Sequence, residues 1–272
     1  MTPPPAVDWP AARRAVAVAG PRLSALLRSA RRPDAPALGT WDVTELALHV
    51  SHSIDTATAM AKGGGNLLED IWGLAPLSGV MVGGEGRRPL DEVADRIDAG
   101  VAELLATMDA ATGDERRPWL VKGTEMTLSN LTCEVLSELT VHGWDIARVE
   151  GVPWPVDRSH AALVVEGFLL PSLQVLGRSM VDQRAAAGVR ARFEVRLRGR
   201  GRAFLRFHHG DLSVEAAPSG PVDCHLLVDP VAFLLVSWGR SSQWPPIARG
   251  QLLAWGRRPW LGLRLRSWLR NP

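Results

Sequence analysis

The spacing of apolar residues changes at about residue 189. Before that point they recur every three or four positions, as Leu90, Val93, Ile97 and Val101 do, which is the period of an amphipathic helix. After it, the segment ARFEVRLRGR alternates apolar and charged residues, which is the period of a strand with one buried face. Helices followed by strands predict an α+β fold, and 272 residues favour two domains.

The charge is divided in the same way. The whole chain has 31 basic and 29 acidic residues, but residues 190–272 contain 14 Arg against 5 acids, a net charge of +9. The preceding part is left with 17 basic and 24 acidic residues, a net charge of about −7. We therefore predict a helical bundle over residues 1–170, a linker over residues 171–188 and a small α+β domain over residues 189–272.

Composition argues against several classes of protein. The chain is 46% hydrophobic and 22% charged, and no apolar run approaches the roughly 18 residues needed to span a bilayer, so we expect no membrane partner. The N-terminus has no signal-peptide pattern, so we expect a cytoplasmic protein. The basic tail lacks a recognition-helix or stacking-aromatic motif, so we expect no nucleic acid partner. Cys133 and Cys224 have neither metal-binding nor redox spacing, which is typical of buried thiols.

A predicted helix of about 20 residues carries two histidines. Asp42 and Glu45 have the spacing of a capping box at its start, and a run of glycines beginning at Gly63 ends it. His49 and His52 lie three residues apart on this helix, so they share one face. Either could contribute an imidazole to a site in the core of a bundle, and we prefer His49 because it follows an apolar Ala-Leu pair.

A second predicted helix, about residues 127–149, carries the other candidate ligands. Glu138 and His142 are four residues apart and so lie on the same face, where both can bind one cation together with His49 from a neighbouring helix. Two histidines and one carboxylate leave coordination positions open, as in a catalytic divalent-metal site, with zinc as the first guess. Asp145 could orient the imidazole of His142. The alternative to a metal site is that Glu138 lies on the surface and that each histidine only forms a buried hydrogen bond.

Two motifs resemble those of a known family. WDVTELALHVSHS resembles the second-helix motif of the DinB-like superfamily, in particular the mycothiol-dependent maleylpyruvate isomerase family, and ELTVHGWDIARVEG resembles a later motif of the same family. The resemblance covers roughly residues 8–170 and implies a DinB-like four-helix bundle. It also implies that His49, Glu138 and His142 are the metal ligands, with Asp145 as a supporting catalytic acid.

The tail resembles a sterol-carrier-like C-terminal domain that accompanies this family. The resemblance rests on DCHLLVDPVAFLLVSWGR and IARGQLLAWGRRPWLGLRL, although Arg257 and Arg258 stand where many relatives have Asp. Arg240, in the Gly-Arg pair of the first segment, is a candidate catalytic residue that could bind a substrate carboxylate through paired hydrogen bonds. Trp144 is a candidate for cofactor binding.

The resemblance implies that mycothiol binds the metal through its sulfur and acts as a thiolate. We expect S-transfer from mycothiol to a small electrophilic metabolite, with cis–trans isomerisation of the maleylpyruvate type as the alternative. A non-catalytic lipid- or metabolite-binding protein and a regulator with a vestigial site remain further alternatives. The expected partners are mycothiol and the electrophile, and the expected assembly is a monomer or homodimer.

Overall fold

Helices account for most of the first of two units into which the chain divides. The computed structural model describes residues 7–271, and internal contacts separate residues 8–156 from the unit that begins at residue 157. The helices of the first unit are α1 (Trp9–Ser29), α2 (Val43–Ala61), α3 (Leu74–Glu85), α4 (Leu90–Thr107) and α5 (Leu128–Glu150). Both α1 and α2 pack against α4 and α5, so these four long helices form the predicted bundle.

Two short hairpins fix where the ligand-bearing helices begin. They are β1 (Pro36–Leu38) with β2 (Trp41–Asp42), and β3 (Arg116–Pro118) with β4 (Glu125–Thr127). The first leads directly into α2 and the second into α5. The predicted capping box is present in α2, where Asp42 accepts from the Glu45 backbone N–H and the Glu45 side chain accepts from the Asp42 backbone N–H.

Helix α1 contains a proline, Pro21. A proline lacks the backbone N–H of an interior helical residue and ordinarily kinks or ends a helix. Residues Trp9–Ser29 nevertheless form one helix. The helix is supported on two sides, because α1 packs against α4 and α5 along the bundle.

The second unit combines helices with a five-stranded sheet, so the predicted α+β class is confirmed. Its helices are α6 (Arg158–Val164), α7 (Leu170–Leu176), α8 (Pro230–Ser237), α9 (Trp244–Ala248) and α10 (Leu261–Arg264). Its strands are β5 (Arg190–Leu197), β6 (Arg202–His208), β7 (Asp211–Glu215), β8 (Cys224–Val228) and β9 (Leu252–Trp255). The strand order is β7-β6-β5-β8-β9, and every neighbouring pair is antiparallel except β5 with β8.

The alternation predicted for β5 holds on its apolar face. Phe193, Val195 and Leu197 are all buried. On the other face the prediction of a solvated charged row is wrong for Glu194, which is 2% exposed and lies 2.5 Å from the His225 ring nitrogen and 2.8 Å from Arg196. A buried carboxylate is tolerated there because it pairs with the guanidinium of Arg196 and lies within hydrogen-bond distance of the His225 ring.

The boundary between the units lies at residue 157, whereas the sequence suggested a bundle up to residue 170 and a linker over residues 171–188. A nearly continuous helical stretch begins at Arg158, and its two α-helical parts pack against α8 and β7 of the second unit. The Phe168 ring stacks on Trp238, with centroids 6.4 Å apart. The apolar residues of this stretch lie in the core of the second unit. Apolar periodicity alone does not show in which unit a helix packs.

The same stretch satisfies the length and composition of a membrane span. Among the described residues, Arg158–Met180 is the one helical segment with that property, and 67% of its apolar window is buried within the protein. Core helices of soluble proteins pass the same test, so the burial assigns its apolar residues to the core.

The α2 capping box generates a test of stability. We expect Asp42→Ala to lower the free energy of unfolding by about 1 kcal/mol, because a backbone N–H at the start of α2 loses its acceptor. Asp34→Ala is a matched control, since Asp34 and Asp42 both pair with Arg87 but Asp34 caps no helix. Urea-induced unfolding followed by far-ultraviolet circular dichroism measures both, and equal losses in the two variants would contradict the capping role.

Candidate metal centre

The two ligand-bearing helices run side by side in opposite directions. Arg117, in β3, donates its Nε–H to the carbonyl of Ala61 at the last residue of α2, at 3.1 Å. The β3–β4 hairpin leads into α5, so the end of α2 lies near the beginning of α5. Residues in the middle of α2 therefore face residues in the middle of α5.

The structure brings the three predicted ligands together where these helices meet. Nε2 of His49 lies 3.2 Å from Oε2 of Glu138, and Nε2 of His142 lies 3.3 Å from the same oxygen. The three ligand atoms all lie within 4.8 Å of one another. The side chains are 16%, 18% and 10% exposed in the order His49, Glu138 and His142, so the cluster is mostly buried but reached by solvent.

The cluster fits a divalent cation better than it fits a set of hydrogen bonds. Oε2 of Glu138 is buried and has no hydrogen-bond partner, although two imidazole nitrogens lie within 3.3 Å of it. Donors placed tetrahedrally at about 2.0 Å from a zinc ion are about 3.3 Å apart. The two nitrogen–oxygen separations match that spacing, and a cation among the three atoms would satisfy the orphaned oxygen.

Asp145 lies where it can orient one of the ligands. Its Oδ2 is 3.2 Å from Nδ1 of His142, and the residue is 2% exposed. A carboxylate accepts a hydrogen bond, so Asp145 favours a proton on Nδ1 of His142, which leaves Nε2 as the nitrogen that would bind a cation. This is the arrangement predicted from the sequence, with Asp145 acting through His142.

The electrostatics of the cluster reflect its burial and mixed charge. Burial by itself would raise the pKa of Glu138, but the imidazoles of His142 and His49 hold that pKa below its usual value. Burial by itself would lower the pKa of His142, but Glu138 and Asp145 raise it to about 9. A cation that binds here therefore takes the place of a proton held by the imidazole.

The alternative ligand belongs to a different network. Nε2 of His52 lies 2.6 Å from Oε2 of Glu85, which also pairs with Arg96. His52 therefore points to the end of α3 rather than to Glu138. This resolves the choice between the two histidines of α2, which spacing left open.

Two other predicted site residues are not among the clustered donors. Trp144 is two positions after His142, about 200° around the helix, and the guanidinium of Arg148 lies 5.8 Å from its ring. Arg240 follows α8 in the second unit and donates to the carbonyl of Trp238 at 2.8 Å. The cofactor-binding role of Trp144 and the catalytic role of Arg240 stay predictions.

Two tryptophans that were not singled out from the sequence lie beside the ligands or the residue next to one. The ring centroid of Trp41 lies 4.9 Å from that of His49, which leaves this imidazole little freedom to rotate. Trp154 lies against Gly143, where an added Cβ would be 2.3 Å from the ring, and its Nε1–H donates to the carbonyl of Thr140. The sequence held two signals of these contacts. Trp41 opens the first family motif, and Gly143 follows His142 in the second.

Comparisons with known proteins agree with the fold. Residues 13–147 match the family model of the mycothiol maleylpyruvate isomerase N-terminal domain. The crystal structure of the mycothiol-dependent maleylpyruvate isomerase aligns with 91% of this chain and 93% of its own, at 11% identity and a TM-score of 0.54. A histidine-to-alanine mutant of that enzyme aligns over the same shares at 11% identity and a TM-score of 0.55. These two likenesses show the fold alone. Among curated proteins, no sequence matches the chain.

The geometry generates a test of metal binding. We expect His49→Ala to lose bound zinc, with an affinity at least about 100-fold lower, because one of three protein donors is removed. His52→Ala is the matched control on the same helix, and we expect it to retain zinc because His52 pairs with Glu85. Isothermal titration of the metal-free proteins measures both. Zinc loss confined to His52→Ala would contradict the assignment.

Proposed function

The first unit of this chain belongs to the family of the mycothiol maleylpyruvate isomerase N-terminal domain, and we propose that the protein is a metal- and mycothiol-dependent cis–trans isomerase of a small unsaturated acid. The observation that carries the proposal is the cluster of His49, Glu138 and His142, whose ligand atoms lie within 4.8 Å of one another and whose two nitrogen–oxygen distances of 3.2 and 3.3 Å match those around a zinc ion. S-transfer is the more general use of a metal-bound thiol and was expected first, but the family and the fold support the isomerase alternative better.

The reaction needs a nucleophile that adds to a carbon of the double bond and then leaves the same carbon. While it is attached, the former double bond is single and can rotate. A divalent metal, when bound, supplies the positive charge that lowers the pKa of a coordinating thiol and gives thiolate at neutral pH. The His49, Glu138 and His142 side chains would hold that metal, and Asp145 keeps the His142 lone pair directed toward it.

The chain's own thiols are poorly placed to supply the nucleophile. Cys133 and Cys224 are both buried thiols. Burial raises the pKa of Cys224 to about 11, so little thiolate exists there at neutral pH. We therefore assign the nucleophile to an external thiol such as mycothiol, which agrees with the family. Trp41, against His49, helps to exclude water from one side of the cluster.

A second candidate function rests on the second unit. It contains a cavity of about 450 Å³ whose lining is mostly aliphatic. The residues that line it include Leu170, Leu205, Leu226, Val236, Leu252 and Leu265. A cavity of this size and chemistry favours a hydrophobic ligand. This cavity supports a ligand-binding role for the second unit, either in addition to catalysis or instead of it.

The proposed function is tested with zinc-loaded protein, mycothiol and maleylpyruvate. We expect the geometry of the substrate to change without a change in its mass, as followed by nuclear magnetic resonance and mass spectrometry. Turnover should fall at least about 100-fold in His142→Ala, because a metal donor is lost. His208→Ala is the control, since His208 is exposed on β6.

Other outcomes separate the remaining candidates. A product heavier by the mass of the thiol would overturn isomerisation in favour of S-transfer. Absence of turnover, together with a hydrophobic molecule that copurifies with the protein, would favour the binding role of the 450 Å³ cavity.

A further inference from the structure

The end of the chain combines arginine and tryptophan without any acidic residue. Residues 230–272 contain seven Arg and five Trp, but no Asp, Glu or Lys. Their net charge of +7 is most of the +9 carried by residues 190–272. The positive charge of the second unit is therefore concentrated in the segment that begins with α8.

Large apolar side chains are exposed in the same segment. Among residues 7–271, nine large apolar side chains are exposed, and five of the nine lie between residues 244 and 263. These five are Trp244, Leu253, Trp255, Trp260 and Leu263. Single exposed apolar residues are ordinary on a protein surface, whereas a cluster of them marks an interaction site.

Part of this cluster lies at the mouth of the cavity in the second unit. Trp260 and Leu263 line the cavity of about 450 Å³ and are nevertheless 57% and 43% exposed, so they lie where it opens to solvent. Trp244, which is 59% exposed, follows Gln243, whose side-chain amide donates to the carbonyl of Leu263 at 3.2 Å. We call Trp244, Trp260, Leu263 and Arg264 the mouth surface.

Trp255 belongs to a different surface. The cavity lies on the apolar face of the sheet, where Leu226 and Val228 line it. Trp255 pairs in register with His225, and its ring stacks on that imidazole with centroids 5.4 Å apart. Because His225 and Leu226 are consecutive residues of β8, their side chains point to opposite faces. Trp255 therefore points away from the cavity.

Arginines accompany the apolar residues of the mouth surface. Arg264 is exposed, and its guanidinium lies 5.7 Å from the ring centroid of Trp268. Arg266 lines the cavity and donates to the carbonyl of Leu269 at 2.9 Å. Within residues 7–271, neither guanidinium forms an ion pair with an acidic side chain. Both positive charges are therefore available to an anionic partner.

We propose that the mouth surface docks on a bilayer that contains anionic phospholipids, with Trp244, Trp260 and Leu263 inserted at the level of the headgroups. Indole rings prefer that level because they are apolar but carry one N–H donor. Guanidinium groups bind phosphate through paired hydrogen bonds, and each basic residue near an anionic bilayer adds to the attraction.

The cavity favours a bilayer over an acidic protein as the partner. An acidic protein surface would satisfy the arginines alone. A bilayer offers phosphates and acyl chains together, which matches a surface where guanidinium groups surround the mouth of a mostly aliphatic cavity. A cavity that opens toward a bilayer can take an apolar ligand directly from it.

Docking of this kind does not require a membrane span. A peripheral surface lies in the interface and does not cross the hydrocarbon region. The proposal therefore replaces the expectation of no membrane partner, which rested on the lack of an apolar run long enough to span. It is independent of the proposed isomerase function, because no residue of the metal centre takes part in docking.

Co-sedimentation of the full-length protein with lipid vesicles tests the proposal. We expect the wild type to bind mixed vesicles of phosphatidylglycerol and phosphatidylcholine. It should bind vesicles of phosphatidylcholine alone at least about tenfold more weakly, because the arginines lose their anionic partners. We expect Trp260→Ala to weaken binding to the mixed vesicles at least about tenfold, because an exposed indole no longer enters the interface. Arg264→Gln should weaken it about fivefold.

Two matched variants locate the docking surface. Trp255→Ala removes an exposed indole from the opposite face of the sheet, and Arg14→Gln removes an exposed arginine of α1 in the first unit. Both should bind the mixed vesicles as the wild type does. Circular dichroism establishes that each variant is folded.

Several outcomes would overturn the proposal. They are failure of the wild type to sediment with the mixed vesicles, equal binding to the two kinds of vesicle, wild-type binding in Trp260→Ala, and equal losses in Trp260→Ala and Trp255→Ala. A wild-type dimer in gel filtration that Trp260→Ala converts to a monomer, without vesicle binding, would instead assign the mouth surface to a second copy of this chain.

Discussion

The metal centre depends on one buried carboxylate oxygen. Oε2 of Glu138 lies between two imidazole nitrogens, at 3.2 and 3.3 Å, without a hydrogen bond to either. Leaving such an oxygen unsatisfied inside a protein is costly, so this arrangement requires either a shared proton or a bound cation. The donor set and the two nitrogen–oxygen distances favour the cation, and every inference about the metal centre starts from its position.

The rest of the first unit holds these donors in place. Each ligand-bearing helix begins at a capping box that follows a short hairpin, so the start and rotation of α2 and α5 are set locally. Packing in the bundle then sets their separation. Trp41 against His49 and Asp145 against His142 fix the two imidazoles from outside the cluster. A site supported in this way needs little reorganisation when a metal or substrate binds.

Much of this could be predicted from the sequence, for physical reasons that also explain the failures. Capping residues and apolar periodicity placed α2 and α5, and the four-residue spacing put Glu138 and His142 on one face. Periodicity did not show that the stretch from Arg158 packs in the second unit, since an apolar face does not specify its partner. Spacing did not separate His49 from His52 either, because their partners come from distant parts of the chain. Trp154 was missed because its contact with Gly143 is a tertiary property.

The central claim is that His49, Glu138 and His142 bind a divalent metal that keeps a position for an external thiol. X-ray absorption at the zinc edge tests it most directly, on zinc-loaded protein before and after addition of mycothiol. The account predicts nitrogen and oxygen neighbours at about 2.0–2.1 Å, with one sulfur neighbour at about 2.3 Å that appears only after mycothiol is added. A first shell that contains sulfur before the addition, or gains none after it, would contradict the account.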